Sequence, residues 1–550
     1  MIRLSASTLA IAAGAIFAAG GSTPASAAAN VSHVAAPVPR DVATARFLTA
    51  APAAASLHFT IVLPLRNRPE LSALIRVQST RRSPFYRHFL KPAQFAARYG
   101  PDARTVEAAV RELRGSGIAV TSLNATHTLL KATAPIATID RTFSTSIGMF
   151  ARSGRAYYAN RTPALAPAAL ASLGITAVGL DNIPHARPMH VLGFRHAALA
   201  ARSMHHRMRI GRFATSGAAG GYTPSDLAQA YDFPLNAGNT GSGASVGIVI
   251  SNDYQDGDVN AFFSSYGVNR TGSLGREPID GGGSFDPQQS VEVTLDVEQS
   301  ASLAPGANET VYEIPDLSNQ SILDAYNAVV TDNTADVISS SFGGCEQGAS
   351  VDNADDQVFS QGVAQGQTWF ASSGDQGSNC YPSNATGVSM PSSDPNVVAV
   401  GGTTLSTDNS GSYAGESAWS GSGGGVSSDW ALPSYQQNIA GEASTSNRNV
   451  PDVALNADPN SGDELVFQGQ DSAVGGTSAS SPDVAAEFAS IVGAKGRQGL
   501  ANNRIYALAA AGGPFHDVTS GSNGAYGAGP GYDNVTGWGS FDGNALLNAF

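Results

Sequence analysis

Two cysteines in 550 residues, Cys345 and Cys380, are too few for a disulfide scaffold and lack the C-x-x-C spacing of a zinc or thiol redox site. They allow one disulfide or two buried thiols. After the first 30 residues no uncharged apolar run reaches about 18 residues, so no membrane span is expected. Charged residues make up only 14 % of the chain, yet 42 % is apolar, which excludes a mainly disordered protein and supplies ordinary globular cores. The 61 glycines follow no G-x-y period, so they mark turns and tight loops rather than a fibre.

What charge there is divides sharply. Residues 1–215 hold 25 of the 31 Lys and Arg and 7 of the 44 acids, a net +18, and residues 216–550 hold the other 6 and 37, a net −31. A basic segment of this size commonly meets nucleic acid or an acidic lipid surface. Here an acidic partner lies in the same chain, so no nucleic acid or membrane partner is called for. The basic half is expected to dock on the acidic half and to leave on acidification, as carboxylates protonate. Histidine is as uneven: nine of ten precede residue 207, leaving only His516. If the first half is removed, an enzyme built from the rest has one imidazole.

Residues 1–28 carry Arg3, an apolar stretch over 9–20 and Ala25-Ser26-Ala27, the pattern of a cleavable export signal. The product is expected outside the cell, or in a periplasm. Residues 29–182 read as a compact α+β domain, with strands at 56–64, 117–123, 128–133 and 174–180 and helices at 70–79, 93–99 and 105–116. Residues 183–221 lose periodicity and gather Arg207, Arg209 and Arg212, as a cleavable linker would. From 222 to 550 short apolar strands (245–251, 309–314, 336–341, 368–372, 396–400) alternate with helices (288–303, 319–332, 351–365). That alternation predicts an α/β fold with a doubly wound, mostly parallel sheet, whose sites lie at the carboxyl ends of the strands.

Three clusters could carry chemistry there. In Gly475-Gly476-Thr477-Ser478-Ala479-Ser480-Ser481-Pro482 a glycine turn sets Ser478 just before an apolar helix, whose amino end favours developing negative charge, and Pro482 suits the first turn. A plain Ser/Thr helix cap would read the same. Glu292 and Asp296 are four apart, on one helical face, where two like charges share a proton; an exposed acidic face is the simpler alternative. Asp375 follows the strand at 368–372, either as an active-site group or as a turn aspartate.

G-T-S-x-S-x-P resembles the nucleophile segment of subtilisin-like serine peptidases, but their H-G-T-H histidine motif is absent and His516 sits in F-H-D-V. A serine without histidine needs a carboxylate base, which works well below pH 7. Together, GGTSASSP, E-x-x-x-D and SSGDQG, with SPFYRHFLKPAQFAARYG, VGLDN and RNVPDVALNADPNSG, resemble the sedolisin family of serine-carboxyl peptidases over about 35–550. The resemblance implies a subtilisin-like catalytic domain at 222–550, preceded by an activation pro-domain that acts as intramolecular inhibitor and chaperone. It implies Ser478 as nucleophile, Glu292 as general base, Asp296 orienting it, and a protonated Asp375 stabilising the oxyanion. F-H-D-V and G-P-G-Y-D resemble the family's structural Ca²⁺ site, implying Asp517 and Asp533 side chains with the carbonyls of Val518, Gly529 and Gly531. Without the resemblance, those residues read as a glycine loop. Relatives also imply a Cys345–Cys380 disulfide, and Ser341-Phe342-Gly343 stands where they commonly have S-W-G. The expectation is therefore a secreted, monomeric, autoprocessed acid endopeptidase acting on proteins and peptides. A tripeptidyl-peptidase of the same family and a non-catalytic secreted binding protein are the alternatives.

Overall fold

Ser245–Ser251 is apolar on both faces, and only a sheet covered on both sides accommodates such a strand. In the computed structural model, which describes residues 33–152, 154–193, 215–383 and 385–550, it lies inside an eight-stranded sheet. The parallel order is Leu274–Pro278, Asn308–Ile314, Ser245–Ser251, Val337–Ser340, Thr368–Ser372 and Val397–Thr407. Tyr413–Ala418 adds antiparallel, and Val453–Asn456 pairs parallel with Val397–Thr407. The helices at 291–303, 319–332 and 349–364 fall where the apolar periodicity predicts.

Adjacent serines show that both faces are covered. Ser339 Oγ meets Ser481 Oγ of helix Thr477–Lys495 at 3.0 Å, whereas Tyr326 of helix Asn319–Asp332 donates to Ser340 Oγ at 3.2 Å. Successive strand residues point to opposite faces, so these helices sandwich the sheet. Thr477–Lys495 packs across five strands of the sheet and against Val291–Leu303, and every residue of Val291–Leu303 is buried. Such helices are held by packing all round rather than by one apolar stripe.

The N-terminal α+β domain is a β-α-β-β-α-β plait with the antiparallel order Ala119–Leu123, Leu129–Pro135, Ser56–Val62, Thr176–Val178. Helix Ala103–Gly115 begins at Asp102, whose carboxylate accepts from the Thr105 amide at 2.8 Å, and buries Val106, Ala109 and Leu113. The export-signal region 1–28 and Arg207, Arg209 and Arg212 lie outside the described residues.

Docking of the basic domain on the acidic one is seen directly. Arg68 pairs with Asp356, and Lys131 Nζ stands 3.1 Å from both Asp280 and Asp324. Arg87 donates to the carbonyls of Lys495, Gly496 and Arg497, capping the helix that carries Ser478. These are the contacts on which the expected loosening on acidification would act. Burial, then Asp280, lifts Asp324 to about 7 against the pull of Lys131, and burial raises Asp356 despite Arg68.

Two departures from the sequence reading matter. Helix Thr477–Lys495 starts before Ser478, so Pro482 lies inside it rather than in its first turn. Part of the supposed linker is paired chain: Arg187–Pro188 and Val191–Leu192 are short strands on the catalytic domain. The Ser216 amide donates to Asp226 at 2.9 Å, and the Ala219 and Gly221 amides to Glu464 at 2.8 Å.

The fold is pinned by one fully buried ion pair. Arg448 meets Asp452 through two bonds of 3.0 and 2.7 Å, and Tyr506, Asn502 and the Ala399 amide complete the carboxylate's shell. Removing one partner strands the other charge. Asp452→Ala is expected to cost about 3–5 kcal/mol in urea unfolding. A loss below about 1 kcal/mol would contradict the role given to the pair.

Candidate active site

Ser478 is the second residue of its helix, and its approach depends on Gly476. That residue has φ of 103°, a region side chains disfavour, and a Cβ there would lie 2.4 Å from Met189 O and 2.6 Å from Asp375 Oδ2. Inside the helix, Pro482 has no N–H for the Ser478 carbonyl four residues back. The Ser341 hydroxyl donates to that carbonyl at 3.5 Å, and Ser478 Oγ in turn donates to Ser341 O at 3.1 Å.

Glu292 and Asp296 stand one turn apart on the buried helix Val291–Leu303, beside the Ser478 helix. Burial first, then the Glu292 charge, raises Asp296 well above the usual carboxylate range, opposed by the nearby Ser341; neither Asp296 carboxyl oxygen has a hydrogen-bond partner. Asp375 follows Gly374, whose φ of 125° turns the chain at the carboxyl end of Thr368–Ser372. Its Oδ1 accepts from the Thr477 amide at 2.8 Å and the Thr477 hydroxyl at 2.9 Å, while Oδ2 is buried without a partner. Burial lifts Asp375 to about 7, aided by Glu292 and opposed by Thr477 and Arg187. A neutral carboxyl with a free oxygen is a hydrogen-bond donor waiting for an acceptor.

The cleft holds the chain's own segment. Arg187–Pro188 pairs antiparallel with Phe342–Cys345, Met189 N donates to Ser341 O at 3.1 Å, and Val191–Leu192 pairs antiparallel with Gln470–Gly475. Between the two pairings, Met189 O accepts from Ser478 N at 2.8 Å. His190 Nδ1 meets Glu292 Oε2, and Glu292 Oε1 is buried without a partner. Burial works against charge on His190, but Glu292 and then Asp375 outweigh it and raise its pKa. Ser478 and Glu292 are therefore each engaged elsewhere.

The four residues singled out by sequence come together; four that were given no role join them. Thr477 orients Asp375, Ser341 holds both ends of Ser478, and Met189 and His190 fill the cleft. Thr477 and Ser341 stood inside recognised motifs, whereas two-residue strands such as 187–188 are too short for any periodicity to show. His516 stacks on Tyr413 at 3.9 Å and bonds Ser540, outside this group. Phe342 is buried and stacks on Tyr326.

The proposed cation residues share one loop. Asp533 is 5 % exposed and takes amides from Gly529, Val535 and Thr536, while Asp517 takes the Gly531 amide. Burial raises Asp533. Two carboxylates without nitrogen or sulfur donors fit a hard cation completed by carbonyls. Among the described residues, no three His, Cys, Asp or Glu gather as a metal cluster. Cys345 and Cys380 form a disulfide, tying the strand under the bound segment to the loop after Asp375.

Comparison with known proteins agrees with this geometry. The family description Pro-kumamolisin, activation domain, matches residues 43–183, and Subtilase family matches 287–539. Sedolisin of Pseudomonas sp. (strain 101) is 32 % identical over 97 % of this chain and 94 % of its own length. Kumamolisin of Bacillus sp. (strain MN-32) is 32 % identical over 90 % and 91 %. The solved structure of Pseudomonas sedolisin, a serine-carboxyl proteinase complexed with pseudo-iodotyrostatin, superposes with a TM-score of 0.55 at 32 % identity, covering 60 % of this chain and 97 % of that one. The chain belongs to the sedolisin family of serine-carboxyl peptidases, with an activation pro-domain ahead of its subtilisin-like catalytic domain.

Proposed function

We propose that this peptidase is a secreted acid endopeptidase whose Ser478 attacks the peptide carbonyl while Glu292 takes the serine proton. Asp296, itself held neutral at acid pH, orients Glu292. The oxyanion is received by Ser478 N–H and by the protonated Oδ2 of Asp375. Glu292 returns the proton to the leaving amine, the acyl group stays on Ser478, and water, deprotonated by Glu292, releases it. The observation carrying this reading is the Met189 carbonyl on the Ser478 amide, with Asp375 Oδ2 beside it.

Chain continues through the cleft on both sides of that carbonyl. Three residues before the bond are Arg187, Pro188 and Met189, yet Ala186 and His185 follow without obstruction, His185 N donating to Leu317 O at 3.1 Å. A tripeptidyl-peptidase needs closure at that point, so the open path supports internal cutting. The Met189–His190 bond is then the first to be cut, within the linker proposed at 183–221. Cutting removes His190 from Glu292, and trimming to near 216–223 leaves a chain start already bound to the catalytic domain. Acid starts processing by protonating Asp375. Calcium held by Asp517, Asp533 and the carbonyls of Val518, Gly529 and Gly531 is proposed to brace the C-terminal loop, with no part in the chemistry.

Acidified from about pH 7.5 to about pH 4, wild-type precursor should lose its N-terminal part and digest denatured protein, while Ser478→Ala does neither. Processing of both alike, by intact mass, would remove Ser478 from the mechanism. Nicked by trypsin within 194–214, the Ser478→Ala precursor should elute as one species at about pH 7.5 and as two at about pH 5; one species at both would overturn the loosening expected from the charge division. Asp375→Ala should lower kcat by about 10²–10³. In wild type kcat should fall as pH rises through about 7, whereas Asp375→Asn, whose amide cannot titrate, should lose that limb. An unchanged limb in Asp375→Asn would assign it to another group.

A further inference from the structure

We infer that Gly343 sets the length of the pocket for the residue on the acyl side of the cut bond, selecting peptides with a long unbranched apolar side chain there, as in methionine. This rests on Ser478 as nucleophile, because the carbonyl on its amide defines which residue is on the acyl side.

Met189 supplies that carbonyl, and its side chain is the enclosed one of the bound segment. It is 1 % exposed, whereas Pro188, His190 and Val191 are half-buried and Leu192 is 60 % exposed. The methionine ends against Gly343. A Cβ at 343 would stand 3.2 Å from Met189 Cε, 3.1 Å from Ser389 Cβ and 3.1 Å from Met390 O, all inside the roughly 3.5–4.0 Å of ordinary carbon contact. Gly343 sits in strand Phe342–Cys345 and is not among the positive-φ glycines, so its backbone does not require glycine. What the missing side chain provides is room.

The consequences for substrate follow from shape. A shorter side chain leaves the far end of the pocket unfilled, a β-branched one is wide near the backbone instead of long, and a charged one is desolvated among neutral neighbours. The preceding position tolerates proline for a separate reason. Met189 N bonds Ser341 O, so in an antiparallel ladder the next residue, Pro188 opposite Phe342, falls at a pair that exchanges no backbone bonds. Its absent N–H costs nothing there.

The test uses autoprocessed enzyme and a set of internally quenched peptides, R-P-X-H-V, with X as Met, norleucine, Ala, Val or Asp. Wild type should prefer Met and norleucine over Ala by roughly 10- to 200-fold in kcat/KM, the range that small apolar volume differences give. Gly343→Val should invert the Met-to-Ala ratio and stall the precursor at its first cut, and adding Met189→Ala should restore processing, since the shorter residue fits the shortened pocket. Should the valine variant not fold, Gly343→Ala is read by the same ratio. Equal wild-type rates on Met and Ala, or Gly343 variants with an unchanged ratio, would overturn the inference. Turnover surviving in Ser478→Ala would instead sink the nucleophile assignment, which separates the two failures.

Discussion

Carboxyl groups buried without cations to pair them are the constraint on which this catalytic domain depends. Residues 216–550 carry 37 acids against 6 Lys and Arg, and many of those acids are inside. Burial lifts Asp463 to about 8 and Glu309, Asp355 and Asp375 to about 7. A carboxyl raised in the folded state contributes stability that is full below its unfolded pKa and is lost as pH rises through the folded one. Such a fold is strongest in acid and weakens through about pH 7–8. The physics that protonates these structural acids also protonates Asp375, so the working range proposed for the site falls within the stable range.

The same constraint explains how the precursor is held at rest. His190 lends Glu292 the cation that the catalytic domain lacks, and Arg68 and Lys131 do the same for Asp356 and Asp324. The pro-domain is thus the missing half of the charge balance, and its capping of the Ser478 helix by Arg87 extends that service to backbone carbonyls. Strand addition on either side of the cleft holds the segment by main chain, which any extended peptide can imitate. An extended substrate can therefore use the same backbone bonds as the chain's own segment.

Much of this was legible in the sequence because it rests on local pattern. Ser245–Ser251 and Thr368–Ser372 are continuous apolar runs, and both ended where expected. GGTSASSP, E-x-x-x-D and SSGDQG named the four residues that the fold gathers. The strand Leu274–Pro278 escaped because Leu-Gly-Arg-Glu-Pro lies at the sheet edge, with no buried residue to mark it. The paired segments at 187–188 and 191–192 escaped for a deeper reason: their order comes from backbone partners far along the chain, and no side-chain pattern records that.

Pro482 shows how a local fault in the helix becomes an asset of the site. A proline at that place denies the Ser478 carbonyl its helical partner, which in an apolar interior would cost a hydrogen bond. Ser341 answers with its hydroxyl and also receives Ser478 Oγ, so the nucleophile is tied at both its backbone and its side chain to the first residue beyond Val337–Ser340. That residue also accepts the Met189 amide, and Phe342 and Gly343 follow it directly. The proposed nucleophile, the strand that binds the peptide and the proposed end of the acyl-side pocket are therefore joined through three consecutive residues, 341–343. Phe342, stacked on Tyr326, directly follows the residue that holds Ser478 through two hydrogen bonds.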